Sequence, residues 1–151
     1  MPELIYKIKT PEEMIFLGEK IGKLSYPNLV IALNGNLGAG KTTLTKGIGK
    51  ALGITAVINS PTFTIMKIYQ GSLNLYHLDV YRITDASTDF ELEEYFEMGG
   101  VSVVEWATQI EELLPIDAVN IDLTINSDAT RTATITGPDE WINALAKEVL
   151  S

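Results

Sequence analysis

Residues 29–43 read LVIALNGNLGAGKTT and are more informative about the fold than any other part of the chain. The apolar run at 29–33 is typical of a central strand covered on both faces. Directly after it, GNLGAGKT at residues 35–42 fits the phosphate-binding pattern G-x-x-x-x-G-K-[ST]. An apolar residue then recurs every four positions over 44–52, which predicts a helix that Gly53 closes. Strand, glycine-rich loop and helix in this order predict a nucleotide phosphate site on an α/β fold.

Each part of this loop has a task on a nucleoside triphosphate. The glycines let successive backbone N–H groups turn toward the phosphate oxygens. Lys41 places a compact positive charge on the outer phosphates, and the Thr42 hydroxyl can ligate Mg²⁺. The positive N-terminal end of the following helix points at the same anion. We therefore expect the nucleotide to be bound by Gly38, Ala39, Gly40, Lys41, Thr42 and Thr43.

Length and composition are those of an ordinary globular protein. At 151 residues we expect a single domain over 1–151, and 46% hydrophobic with 21% charged residues argues against disorder. The N-terminus has no apolar run of signal-peptide length, and no segment approaches a membrane span. The lack of cysteine excludes a disulfide scaffold and a thiolate metal site. A cytoplasmic protein without a membrane partner is the simplest expectation.

The charge balance restricts the partners. A net charge of −9 argues against direct binding of RNA or DNA, because such binding depends on neutralising phosphates. Arginine is scarce, since the sequence holds only Arg82 and Arg131. A P-loop kinase usually brings several cations onto the transferred phosphoryl group. Two arginines leave little room for a basic lid of that kind.

Local patterns predict the first helices. Thr10 is expected to be an N-cap, with Pro11 at the first helical position and Glu13 completing a capping box. In the helix after the phosphate loop, Gly47 and Gly49 lower the helix propensity. We expect that they do so to allow close packing on the sheet.

Further along the chain, apolar periodicity and turn residues predict alternating strands and helices. The predicted elements are a hairpin of 65–69 with 73–78, a short acidic helix at 91–96, a strand at 101–104, a helix at 107–114, a hairpin of 119–125 with 130–136, and a last helix with Trp141, Leu145 and Val149 on one face. Together they predict an α/β fold, a P-loop NTPase-like three-layer domain with a mixed, partly parallel sheet.

Hydrolysis needs a metal site and an oriented water in addition to the loop. Glu105 directly follows an apolar strand, and a carboxylate at that strand end would face the loop. Since Asp is the usual residue there, the longer Glu105 requires either a backbone that lies farther from the metal or a water that bridges the carboxylate and the metal. Asp79 is the second catalytic candidate. A solvated acid at a strand end is the alternative for Glu105.

The segment HLDVYR at residues 77–82 gathers the single histidine, an acid, a tyrosine and an arginine. In an extended segment His77 and Asp79 share one side and can reach the phosphate edge together. A histidine next to an aspartate is also a common structural pair, so the role of His77 stays open. Tyr81 and Arg82 are switch or partner candidates, and Arg82 is equally suited to a structural ion pair.

Three further positions are candidates with an open alternative. Ser60 and Thr62 lie one βα unit beyond the loop, where nucleotide switches carry hydroxyls toward Mg²⁺, or they belong to a plain proline turn. Trp106 is either a core residue or an exposed anchor for a partner. Arg131 contacts base or phosphate, or it is a surface charge.

Taken in order, GNLGAGKTT at 35–43, SPTF at 60–63, HLDVYR at 77–82 and VEW at 104–106 resemble the TsaE (YjeE) family of small bacterial P-loop ATPases. The resemblance spans nearly the whole chain, and the HLDVYR segment together with Glu-Trp makes it much more specific than the widely shared loop alone. It implies a cytoplasmic ATPase, with ATP and Mg²⁺ as cofactors, needed to make threonylcarbamoyladenosine at position 37 of tRNAs that read codons beginning with A. The implied partner is the TsaB–TsaD heterodimer, through which tRNA is contacted only indirectly.

The resemblance also implies roles for particular residues. Lys41 would bind phosphate, Thr42 and Glu105 would ligate Mg²⁺, and Asp79 would support hydrolysis or couple it to the partner. Thr10 matches a residue that reaches the adenine, and Arg131 resembles a late arginine near the nucleotide. Residues 60–63 resemble the first switch, and Trp106 lies beside the nucleotide or partner surface. One departure is Asn36, where the family commonly has Asp.

Two other functions are compatible with the loop. A small-molecule kinase uses the same motif, although the two arginines count against it. A non-catalytic nucleotide-gated adaptor needs only binding. A GTPase is disfavoured because the chain has no Asn-Lys-x-Asp guanine motif. For the ATPase we expect slow hydrolysis by the isolated chain and a rate that the partners change.

Overall fold

The computed structural model describes residues 2–36, 38–59, 66–79, 90–105 and 111–150, without the side chains of residues 90–92. Strands and helices largely alternate along this chain, as the sequence predicts. Their bounds are β1 Glu3–Ile8, α1 Pro11–Lys23, β2 Val30–Gly35, α2 Lys41–Ala51, β3 Met66–Tyr69, β4 Leu75–Asp79, α3 Phe90–Phe96, β5 Val101–Glu105, β6 Val119–Ile125, β7 Arg131–Thr136 and α4 Asp139–Leu150. In the described ranges, no helix is long and apolar enough to cross a membrane.

The strands form one mixed sheet in the order β1-β7-β6-β2-β5-β4-β3. Its centre is parallel, since β2 pairs in parallel with β5 and β6, and β5 pairs in parallel with β4. The two edges are antiparallel, formed by β3 with β4 and by β1 and β6 with β7. A parallel centre brings several strand ends to one edge of the sheet, and the phosphate loop lies at that edge.

Side chains of the central strand β2 alternate between two hydrophobic clusters, which places a layer on each face of the sheet. Ile31 and Leu33 join the cluster that α1, α2 and α4 cover. Val30 and Ala32 join the cluster that contains Phe96 of α3. The prediction of a three-layer α/β domain with a mixed sheet is confirmed.

One strand escaped the sequence prediction. The segment Glu3–Ile8 forms β1 and pairs antiparallel with β7 at the edge of the sheet. The alternation is short: Leu4 and Ile8 are buried, Ile5 and Lys7 are exposed, and Tyr6 is partly buried. Two-residue alternation is easily hidden when an exposed apolar residue interrupts it, as Ile5 does here.

The N-terminus of α1 confirms the predicted cap with one change. The Thr10 hydroxyl accepts a hydrogen bond from the Glu13 N–H at 3.1 Å. The Glu13 carboxylate does not return to the Thr10 N–H, as a regular capping box requires, and accepts instead from the Lys9 N–H at 2.8 Å. The start of α1 is therefore tied to the end of β1, one residue earlier than predicted.

The glycines of α2 pack against other partners than the sheet, so that expectation was wrong. A Cβ on Gly47 would overlap the carbonyl of Ile15 and lie 3.0 Å from the Cα of Gly18, both in α1. A Cβ on Gly49 would overlap the side chain of Ile58. Small residues at this crossing let the backbones of α1 and α2 approach closely. The predicted end of α2 is confirmed, because Gly53 takes φ +77° just after it.

Of the predicted helix at 107–114, residues 107–110 lie outside the described part of the chain. Residues 111–113 form a single 3₁₀ turn before Pro115. Leu113 of this turn and the following Leu114 pack against the cluster that contains Phe96 of α3.

We predict that Gly47→Ala destabilises the protein although alanine favours a helix over glycine by about 1 kcal/mol. The new methyl group would meet the α1 backbone and force the two helices apart, which should lower the free energy of unfolding by about 1–3 kcal/mol. Urea denaturation measures this change. Lys46→Ala, at the neighbouring exposed position, is the control and should stay within about 0.5 kcal/mol of wild type. Equal stability of Gly47→Ala and wild type would contradict the close packing.

Candidate nucleotide-binding site

Three strands end at the same edge of the sheet and present the candidate residues there. In the parallel register, Leu33 of β2 lies beside Glu105 of β5, and Glu105 lies beside Asp79 of β4. The phosphate loop starts at Gly35, the last residue of β2. Asp79 and Glu105, both predicted from the sequence to act with the loop, are brought to it by the fold.

The loop backbone depends on two glycines with positive φ. Gly38 has φ +84° and Gly40 has φ +107°, a region that other residues rarely adopt. Gly40 is the N-cap of α2, and no side chain of the described residues caps that helix. Helix starts of this kind bind anions through backbone N–H groups and the helix dipole. Thr42 and Thr43, both half-buried, stand in the first turn.

Lys41 is turned inward in this structure. Its Nζ donates a hydrogen bond to the carbonyl oxygen of Gly35 at 2.7 Å and lies 3.7 Å from Oε1 of Glu105. Only 7% of the residue is exposed. Burial lowers the pKa of the Lys41 ammonium, while the charges of Glu105 and Asp79 oppose that shift. The acceptor role of Gly35 was not foreseen, because a backbone carbonyl leaves no trace in the sequence.

Glu105 is a buried residue, so the interpretation as a solvated strand-end acid is wrong. It is 3% exposed, and its Oε2 lies 2.5 Å from Nε2 of His77, which is fully buried. A structural pair of His77 with Asp79 was one alternative from the sequence. In the structure the ring contacts Glu105 on the next strand instead. Only the strand register, which joins residues 28 positions apart, creates this pair.

A pocket of about 220 Å³ opens beside the loop. Two candidates distant in sequence, Thr10 and Arg131, line it together with loop residues Gly38, Gly40 and Thr43. Met14 of α1 also lines it and lies under Gly40, where an added Cβ would come 2.6 Å from the Met14 Cε. The support from Met14 was missed, because its spacing in α1 marks it only as a core residue.

Arg131 touches the loop directly. Its guanidinium donates to the carbonyl of Ala129 at 2.7 Å and to that of Gly38 at 3.3 Å. The turn before it is held by Asn126, whose amide donates to the hydroxyls of Thr130 and Thr132. These contacts place Arg131 at the rim of the pocket.

Five candidates fall outside the described residues: Ser60, Thr62, Tyr81, Arg82 and Trp106. The predictions for them stay as they were.

The oxygen ligands at the loop suit Mg²⁺. The described residues hold no group of three or more histidine, cysteine, aspartate or glutamate side chains able to cage a metal ion. Mg²⁺ is usually bound by one or two carboxylates together with substrate phosphates and water. Glu105, Asp79 and the Thr42 hydroxyl are of the type that such a site requires.

A larger cavity, about 560 Å³, lies between the C-terminal ends of α1 and α2. Its three lysines are engaged in ion pairs, Lys20 and Lys23 with Glu148 and Lys50 with Glu19. It has no glycine-rich helix start such as the one at the phosphate loop. The smaller pocket and the loop beside it are therefore the better candidate for a nucleotide site.

Fold and loop together define a P-loop-like α/β protein. Within that class the chain belongs to the TsaE family, because the family model described as "Threonylcarbamoyl adenosine biosynthesis protein TsaE" matches residues 8–133. The resemblance stated from the motifs is confirmed.

Relatives match over most of their length. A Bacillus subtilis (strain 168) protein named tRNA threonylcarbamoyladenosine biosynthesis protein TsaE is 44% identical over 150 residues, covering 99% of this chain and 95% of the relative. A Treponema pallidum protein of the same name is 39% identical over 126 residues, with 78% and 89% covered. The crystal structure of Bacillus subtilis YdiB superimposes with a TM-score of 0.84 at 38% identity, covering 99% of this chain and 95% of YdiB.

We predict that Arg131→Ala loosens the phosphate loop without unfolding the protein. A hydrogen bond contributes about 0.5–1.5 kcal/mol, so amides of residues 38–43 should exchange about threefold to tenfold faster. Hydrogen exchange with mass spectrometry measures this rate. Lys9→Ala removes a cation that also lines the pocket and serves as the control. Equal exchange in Arg131→Ala and wild type would show that the guanidinium does not stabilise the loop.

Proposed function

We propose that this chain binds and hydrolyses ATP with Mg²⁺, and that hydrolysis serves the formation of threonylcarbamoyladenosine in tRNA. The observation that carries the proposal is the buried contact between Lys41 of the phosphate loop and Glu105 at the end of β5. A buried carboxylate facing the loop lysine is suited to hold a metal that would neutralise phosphate charge. The names of the relatives support the biosynthetic context.

Each residue has a distinct part in the proposed hydrolysis. Lys41 leaves the Gly35 carbonyl and neutralises the outer phosphates, while backbone N–H groups of residues 38–43 surround them. Mg²⁺, held by Thr42 and Glu105, would offset the charge that develops on the phosphates. Asp79, beside Glu105 in the register, orients the attacking water or couples hydrolysis to the partner. The pocket with Thr10 and Arg131 receives the base and ribose.

The distribution of charge favours indirect contact with tRNA. Residues 68–130 contain 13 of the 20 acidic residues and a single cation, Arg82. A segment with this excess of negative charge disfavours contact with a phosphate backbone. We therefore propose that tRNA binds to the TsaB–TsaD heterodimer and that this chain joins that complex.

The isolated chain should hydrolyse ATP slowly. Arg131 already donates hydrogen bonds to two carbonyls, so part of its guanidinium is engaged before a nucleotide binds. An arginine supplied by a partner is worth about 10³–10⁵ in the rate of phosphoryl transfer. We therefore predict that the TsaB–TsaD complex changes the ATPase rate of this chain, measured by phosphate release with and without the complex. Rapid turnover that the complex leaves unaltered would exclude the coupling.

We predict that Lys41→Ala and Glu105→Gln separate binding from hydrolysis. Lys41→Ala should lose most ATP affinity, because the loop then lacks its cation. Glu105→Gln should bind ATP and hydrolyse it about 10²- to 10³-fold more slowly, because the metal that would offset transition-state charge loses its anionic protein ligand. Isothermal calorimetry and single-turnover phosphate release measure the two properties.

Exposed residues provide matched controls for both variants. Lys46→Ala changes a lysine on the same helix, and Glu97→Gln changes an exposed glutamate after α3. Both should behave as wild type. If Glu105→Gln stops hydrolysis but tRNA modification continues at the normal rate, the chain is a nucleotide-gated adaptor. Labelled phosphate transferred to a metabolite would instead favour the kinase.

A reconstituted modification reaction tests the biological context. We predict that, without this chain or with Lys41→Ala, the partners complete about one turnover per complex and then stall, because the proposed hydrolysis resets the complex. Threonylcarbamoyladenosine is counted per complex by mass spectrometry of digested tRNA. Failure of even the first turnover would place this chain in the chemistry itself, and undiminished later turnovers would exclude any role for it.

A further inference from the structure

The contact between His77 and Glu105 has no part in the function proposed above. His77 is fully buried and Glu105 is 3% exposed, so both side chains depend on protein groups for their polar contacts. In the parallel pairing of β4 and β5, Val103 lies beside His77 and Asp79 lies beside Glu105. His77 therefore occupies the diagonal position next to Glu105, on the same face of the sheet. Nε2 of its ring lies 2.5 Å from Oε2 of Glu105.

The two oxygens of Glu105 face different partners. Oε2 meets the imidazole, whereas Oε1 lies 3.7 Å from Nζ of Lys41 at the phosphate loop. A carboxylate only accepts hydrogen bonds, so the ring N–H is the donor. Holding one oxygen in this way leaves the other directed at the loop.

Glutamate needs such a contact more than aspartate does. Its additional side-chain torsion must be fixed before the carboxylate can act as a ligand, and fixing it costs conformational entropy. Ligating carboxylates in metal sites are commonly held by a second hydrogen bond. At a strand end where aspartate is usual, His77 on the neighbouring strand provides that bond to the longer Glu105.

A purely structural role explains His77 poorly. Among the described residues, its Nδ1 has no hydrogen-bond partner. A buried ring with one polar nitrogen unsatisfied is less favourable for stability than an apolar side chain of similar size. The surrounding cluster is apolar, with Leu75 and Val103 on the same sheet face.

We propose that His77 is a positioning residue, whose ring N–H holds Glu105 so that its other oxygen faces the phosphate loop and Mg²⁺. This inference rests on the proposed function, since it needs a loop that binds nucleotide with metal. It extends the site by a residue that touches neither nucleotide nor water and acts through Glu105.

The test compares His77→Leu, which removes the donor, with His77→Gln, which retains an N–H. Apparent affinity for Mn²⁺ is measured by electron paramagnetic resonance at saturating ADP, and affinity for ADP is measured by calorimetry in EDTA. His77→Leu should bind Mn²⁺ about 10- to 100-fold more weakly, as is typical when a partner of a ligating carboxylate is lost. ADP affinity in EDTA should not change. His77→Gln should recover most of the Mn²⁺ affinity.

Two controls separate positioning from packing. Leu75→Val perturbs the same face of β4 two residues away and should leave Mn²⁺ affinity unchanged. In a Glu105→Ala background, His77→Leu should cause no further loss of Mn²⁺ affinity, because the group through which it acts is gone. Thermal unfolding of each variant reports on the fold. If His77→Leu does not fold, His77→Met, which also lacks an N–H donor, gives the same comparison alone and in the Glu105→Ala background.

The outcomes distinguish this inference from the proposed function. An equal loss with and without Glu105, or a loss of ADP affinity in EDTA as large as that of Mn²⁺, would overturn the positioning role. Neither result would contradict nucleotide binding by the wild-type chain. Wild-type Mn²⁺ affinity in His77→Leu would overturn it as well. If the wild-type chain binds no ADP at all, the proposed function fails and this inference fails with it.

Discussion

The buried ion pair of Lys41 and Glu105 connects the helix after the phosphate loop to the centre of the sheet. Removing two opposite charges from water costs free energy that their attraction offsets only when further polar partners are close. Those partners are present: the Gly35 carbonyl accepts from Lys41, and His77 contacts Glu105. Because the partners come from β2 and β4, the pair requires that three neighbouring strands end at one level.

This requirement extends to the helices that cover the site. The ion pair fixes the start of α2, and the glycines at the crossing bring α1 against it. The beginning of α1 then lies next to the loop, where Thr10 and Met14 line the pocket and Met14 lies under Gly40. The pocket is thus a consequence of close helix packing, since bulkier residues at the crossing would move α1 and open its wall.

What the sequence predicted correctly was mostly local. The loop, the cap of α1, the end of α2 and the late hairpin depend on residues within a few positions of one another, and so their patterns are visible along the chain. The edge strand β1 was missed because six residues with an exposed isoleucine give a weak alternation. Contacts that depend on the fold could not be predicted from the sequence either. The sequence offered Asp79 as a partner of His77 and the sheet as the partner of Gly47. The strand register instead brings His77 to Glu105, and the helix crossing places Gly47 against α1.

The cations at the phosphate loop bear on the proposal that this chain acts within a complex. Lys41 and Arg131 are the cations seen against the loop in the described residues, and both are already engaged with carbonyls there. A nucleotide can release Lys41 from Gly35 because phosphate is a stronger partner for an ammonium than a carbonyl is. Arg131, by contrast, helps to shape the loop, and moving it would loosen the site that it serves. Under the proposed function, a partner would supply the cation for transition-state charge that Lys41 and a metal leave unneutralised. A loop built in this way is suited to an ATPase whose rate is set by the complex that it joins.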